Sequence, residues 1–124
     1  MIKNFNFTST DRRIHELLLD IGMSPRLLGY RYIVSAVKMI QEDPDYLDNI
    51  TKWLYVDVAK NCSSTPSRVE RNMRNAIACA FGQGDYDTIN YVFKNSVNPL
   101  KGVPSNSQFL ATLYYYMELH PKAS

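Results

Sequence analysis

Residues 65–84 read TPSRVERNMRNAIACAFGQG, and the polar side chains in this stretch are mostly guanidinium and amide groups. At about 100° per residue, Ser67, Arg68, Arg71, Asn72, Arg74 and Asn75 share one side of a helix. Val69, Met73, Ala76, Ile77 and Ala80 fall within an arc of about 100° on the opposite side. One wall can pack, and the other can meet a partner that carries anions and hydrogen-bonding edges. Together with the short polar turn at Ser63 and Ser64, which follows another amphipathic segment, this is the build of a DNA-reading helix.

The net charge is only +2, so the charge total does not announce nucleic acid; its distribution says more. Glu42, Asp43, Asp45, Asp48 and Asp57 face Lys52 alone in residues 42–57, whereas Lys60, Arg68, Arg71 and Arg74 face Glu70 alone in residues 60–74. The sign changes at the turn, which concentrates positive potential where a phosphate backbone would be met.

Catalysis is poorly supplied. There are two histidines, and no GxSxG, HExxH or GxxxxGK[ST] motif brings together a nucleophile, a base and an orienting acid or a phosphate cradle. An enzyme is therefore not expected. Cys62 and Cys79 form no CxxC pair, and His15 and His120 lie near opposite ends of the chain. Two reduced thiols are expected, with no metal site and no cofactor. The nine tyrosines include Tyr114, Tyr115 and Tyr116, but single-strand stacking needs aromatics interleaved with cations, and that run contains no Lys or Arg. Tyr116 is expected in the core beside Phe109 and Leu113, Tyr115 on the surface, and Trp53 as a core anchor.

The elements that must hold the 66–81 helix are themselves helical. With 45% hydrophobic residues and no alternating runs joined by Asn-Gly or Asp-Gly, 124 residues predict one all-α domain. Thr10 or Asp11 can cap a first helix carrying Ile14, Leu17, Leu18 and Ile21, which Gly22 ends. Ser24 and Pro25 predict the start of a second helix with Leu28, Ile33, Val37 and Ile40, stopping near Asp43 and Pro44. Leu47, Ile50, Leu54 and Val58 mark a third helical region reaching about Asn61, with a kink or break near Tyr55. After the 66–81 helix, Gly82 and Gly84 act as stops, and Asp85 can cap a short helix with Ile89, Val92 and Phe93. Ser105 and Gln108 form an S-x-x-Q capping box for a last helix with Phe109, Leu113, Tyr116 and Met117 on one side. No apolar run is long enough to span a membrane, and the first residues lack a signal-peptide pattern, so a cytoplasmic protein is expected.

The string TPSRVERNMRNAI resembles the recognition helix of the C-terminal effector domain of the stage-zero sporulation protein A family, master response regulators of endospore formation. IHELLLDIGMSPRLLGYRY, ITKWLYVDVAK and VPSNSQFLA extend the resemblance, in collinear order, from about Ile14 to the end. It implies a compact six-helix domain that pairs a helix around residues 55–61 with the recognition helix in a helix-turn-helix. Such a domain binds a TGNCGAA-like box in the major groove of double-stranded DNA and regulates transcription. Residues 1–10 would be an N-terminal extension or linker remnant, and 11–124 the DNA-binding effector domain.

The resemblance also implies roles for particular side chains. Glu70, Arg71 and Arg74 fall at base-reading positions; an arginine fork suits guanine O6 and N7, and a glutamate accepts from cytosine N4. Lys60, Thr65, Ser67 and Arg68 fall near the backbone, as do Lys101, Ser105, Asn106 and Ser107 before and at the start of the last helix. Each has a plainer reading. Glu70 and Arg74 are spaced to form a solvated i,i+4 pair, Lys101 can be a solvated loop lysine, and Ser105 needs only to cap. The family pattern R-A-I-R-H-A-I-E is R-N-M-R-N-A-I-A here, which introduces Asn72, Asn75 and Ala78. Asn72 and Asn75 thereby bring amides able to flank the contact.

Further implied partners are the RNA polymerase sigma subunit, through the region aligned with DYDTINYVFKNSVN, and a second copy on a tandem site. Nothing in the 124 residues resembles a phosphate-receiving aspartate cluster, so binding is expected to be independent of aspartyl phosphorylation. The competing class is a protein-interaction module that keeps the fold and pairs with full-length relatives or polymerase in place of DNA.

Overall fold

A computed structural model of the chain describes residues 9–83, 86–93 and 102–121. Among them lie six α-helices and no strand: α1 (Ser9–Asp20), α2 (Leu28–Glu42), α3 (Tyr55–Asn61), α4 (Pro66–Gln83), α5 (Tyr86–Phe93) and α6 (Asn106–Leu119). A 3-10 turn (Pro44–Asp48) and a π-helical turn (Ile50–Leu54) join α2 to α3. The all-α expectation is met.

α1 ends in a Schellman motif, with Gly22 at φ 88° and the Met23 and Gly22 amides donating to the Leu18 and Leu19 carbonyls. Its start differs from expectation. The helix already runs through residues 9 and 10, so Asp11 does not cap it; instead Asp11 is buried within the first turn, 3.0 Å from Lys38 Nζ on α2.

α2 also starts later than Ser24 and Pro25 suggest. The Ser24 carbonyl and hydroxyl accept from Leu27 and Arg26 in a separate turn, and the helix begins only at Leu28. Gly29, the second residue of α2, lies against α4, where an added Cβ would stand 2.0 Å from the Asn72 carbonyl oxygen and 2.7 Å from the Ala76 Cβ. Glycine is required there because the two backbones touch.

α2 is the central brace. Its Tyr30, Ile33, Ala36, Val37 and Ile40 are buried in a core shared with Ile14, Leu18, Leu54, Val58, Met73, Ile77, Phe109 and Leu113. At one end of that core Phe93 packs on Phe109 at 5.3 Å between ring centroids, with Phe81 at 5.4 Å from Phe93. Aromatic pairs at such spacings prefer offset and edge geometries, which lock α4, α5 and α6 together. The capping box at Ser105 and Gln108 is formed. Gly82 lies inside α4, whereas Gly84 and Asp85 lie outside the described residues. No helix among the described residues is long and apolar enough to cross a membrane.

Two aromatic expectations are corrected or refined. Trp53 is 55% exposed and anchors nothing in the core, because the π-turn changes the register that placed it inside. The Asn49 carbonyl accepts from both Trp53 and Leu54, and the Ile50 carbonyl accepts from Tyr55, five residues on. A turn widened in this way advances less per residue than an α-helix, so Ile50 and Leu54 stay inside and Trp53 swings out. Tyr116 is half-buried at the edge of the core, stacked on His120 at 4.4 Å, while Tyr115 is exposed as expected.

Candidate nucleic-acid interface

The turn between α3 and α4 is closed by a second Schellman motif. The Ser64 amide donates to the Ala59 carbonyl at 2.8 Å, and Ser63 takes the left-handed position at φ 55° where glycine is usual. Thr65 then caps α4, its hydroxyl accepting from the Arg68 amide at 3.3 Å, and Pro66 fills the first helical position without wasting a donor. α2 holds this turn from behind: the Tyr32 hydroxyl donates to Ser64 Oγ at 3.0 Å and Asn61 Nδ2 to Ser35 Oγ at 2.9 Å. The angle between α3 and α4 is thus set by side chains far from them in sequence.

α4 buries Val69, Met73, Ala76, Ile77 and Ala80, the five residues its periodicity predicts. Arg71 lies opposite them and is exposed, with Arg68 and Arg74 exposed about 60° to either side and about 9 Å apart along the axis. Ser67, Asn75 and the small Ala78 complete this open face. Arg74 Nε and Nη2 meet Glu70 Oε2 and Oε1 at 3.1 and 3.3 Å, a fork-to-fork pair at the edge of the face. Such an exposed pair contributes no more than about 1 kcal/mol, so a stronger partner can take either side chain. Lys60 is exposed in the last turn of α3, on the approach to the turn.

Not every residue assigned from the sequence joins this face. Asn106 is 7% exposed and turned inward: its Nδ2 donates to the Tyr55 hydroxyl at 3.0 Å and to the Glu70 carbonyl at 3.1 Å. A side chain committed to two buried acceptors cannot also grip a phosphate, so its assignment to the DNA backbone is corrected to a structural one. Burial raises the Tyr55 hydroxyl above its ordinary range and keeps it protonated, while the Asn106 hydrogen bond acts in the lowering sense. Asn72 lies toward α2, half-buried, and its Nδ2 donates to the Arg68 carbonyl at 2.8 Å. It secures its own helix beside Gly29 and stands apart from Arg71. Ser105 and Ser107 are exposed at the start of α6, and Lys101 lies outside the described residues.

Gly29, Tyr32 and Ser35, which set α4 in place, escape a reading focused on charged side chains. A glycine early in an apolar helix is a recognisable sign of close backbone approach. Nothing local marks Tyr32 or Ser35, whose hydroxyls act 26 to 32 residues away.

Among the described residues no three His, Cys, Asp or Glu side chains gather as metal ligands, and both cysteines are free. A short helix, a capped turn and a longer helix with an open arginine-centred face make a helix-turn-helix DNA-binding domain. Residues 14–117 match the model of the family described as "Sporulation initiation factor Spo0A C terminal", and the chain belongs to that family. It is a sporulation-type DNA-binding effector domain, a regulatory and not an enzymatic family, and double-stranded DNA is its partner class.

Proposed function

We propose that α4 enters the major groove of a TGNCGAA-like box and that Arg71, Arg74 and Glu70 read base edges there. The observation that carries this reading is the open Arg71, centred on the face opposite a fully packed one. A long cation in that position has room to reach guanine O6 and N7. Glu70 holds the Arg74 fork flat at the edge, an arrangement suited to a CG step in which the acid accepts from cytosine and the base donates to guanine. Thr65, Ser67, Arg68 and Lys60 hold phosphates around the turn, Ser105 and Ser107 hold them at the start of α6, and Asn75 flanks the readout. The site of action is the cytoplasm, where the target duplex is found.

The test is binding to duplexes with and without the box. Arg71→Ala should lose about 1 to 3 kcal/mol on the boxed duplex and much less on a random one. Equal losses on both would make Arg71 a backbone contact and remove the base-reading claim.

A second reading has its own support. Tyr91 on α5 and Tyr115 and Leu119 on α6 are 60%, 56% and 75% exposed, large side chains open to protein partners. On this reading the domain pairs with polymerase sigma subunit, a full-length relative or a second copy, and specific DNA binding is dispensable. Salt distinguishes the two: phosphate contacts weaken steeply as salt rises, whereas an apolar interface changes little.

A further inference from the structure

The two sides of α4 are unlike. On the Arg68 side lie the α3–α4 turn and its hydroxyls; on the Glu70 side the buried Asn106 amide ties the first residue of α3, the first residue of α6 and the α4 backbone to one another. The π-turn that feeds α3 therefore lies beside the first turn of α6. Between them is a cleft of about 460 Å³ bordered by Asp48, Thr51, Lys52 and Ser107. Thr51, Lys52 and Ser107 are exposed, and among the described residues Lys52 forms no ion pair.

The cleft brings Thr51 and Lys52, from a stretch in which acidic residues prevail, beside Ser107 of α6. Ile50 and Leu54 are buried on the inner side of the π-turn, and Thr51, Lys52 and Trp53 stand outside. In a helix-turn-helix the first helix crosses the sugar-phosphate backbone while the second occupies the groove, so the approach to α3 is where a strand passes.

We propose that this cleft seats one phosphate of the DNA backbone, with Lys52 Nζ and the Thr51 and Ser107 hydroxyls as its donors. The inference rests on the reading of α4 as the groove helix and adds a contact on its Glu70 side. Lys52 replaces the inward-turned Asn106 as the polar group that reaches the strand beside Ser107. Asp48 borders the same cleft and opposes the anion, so the seat works through close hydrogen bonds and not through a broad positive field.

The experiment measures affinity for boxed and scrambled duplexes across a salt series with wild type, Lys52→Ala, Lys52→Arg and Asp48→Asn. Lys52→Ala should weaken both duplexes by the same factor, about eightfold at 0.1 M salt, and reduce the slope of log affinity against log salt by about 0.9. Lys52→Arg should restore both, and Asp48→Asn should tighten both. Thermal unfolding of Lys52→Ala should match wild type, because the side chain is exposed. Wild-type binding to the box with an unchanged slope in Lys52→Ala would overturn the seat and leave the α4 reading standing. Absence of box preference in the wild type would remove the α4 reading and the seat with it.

Discussion

α4 and the stretch from Pro44 to Leu54 are both helical and both half-buried, yet they obey different rules. α4 keeps one period through eighteen residues, so its inner and outer faces can be counted from the sequence. The other stretch passes from 3-10 to π geometry in eleven residues, tightening and then widening its turn. A single period still finds Ile50 and Leu54 inside, but Trp53 is misplaced. The lesson is that a constant hydrogen-bond span makes a surface legible, and a change of span can turn out a side chain expected inside: α4 presents the arginines it was expected to present, whereas the π-turn presents Trp53.

The contrast can be tested by substitution. The largest effect is expected at Leu54, fully buried beside the exposed Trp53: Leu54→Ala should cost about 2 to 5 kcal/mol in chemical denaturation. Gly29→Ala comes next, at about 1 to 3 kcal/mol, because the new Cβ meets the Asn72 carbonyl and must push α2 from α4. That push should also weaken binding to the boxed duplex, although Gly29 presents no side chain to it. Asn106→Ala should cost a similar 1 to 3 kcal/mol by leaving the Tyr55 hydroxyl and the Glu70 carbonyl without their donor. If Asn106→Ala were as stable as wild type and lost only DNA affinity, the inward-turned assignment would be wrong.

Ser63→Gly should stabilise by up to about 1 kcal/mol, since glycine takes the left-handed position at little cost. The smallest change is expected for Trp53→Ala, within about 0.5 kcal/mol of wild type. A loss comparable to that of Leu54→Ala would restore Trp53 to the core and erase the distinction between the two stretches.

Much of the fold was legible because it depends on local signals. Gly22 and the Ser105–Gln108 box act within a few residues, and each does in the structure what its type and spacing predict. Ser24 and Pro25 carry an equally local signal but close a separate turn, and α2 begins only at Leu28. At the site, Arg68, Arg71 and Arg74 stand exposed as the periodicity requires. Ser105, Asn106 and Ser107 are adjacent and chemically alike, and only packing separates the buried amide from the two exposed hydroxyls.

Sequence alone determined the all-α class, the sidedness of α4 and the sign of the charge on its open face, because helical periodicity and capping act over one to a few turns. Tertiary structure decided which way Asn106 and Trp53 turn, how Gly29, Tyr32 and Ser35 brace the recognition element, and that Lys52 comes to lie beside Ser107. Those outcomes depend on contacts between segments up to 55 residues apart, where satisfying buried polar groups and excluding overlapping atoms outweigh any local preference.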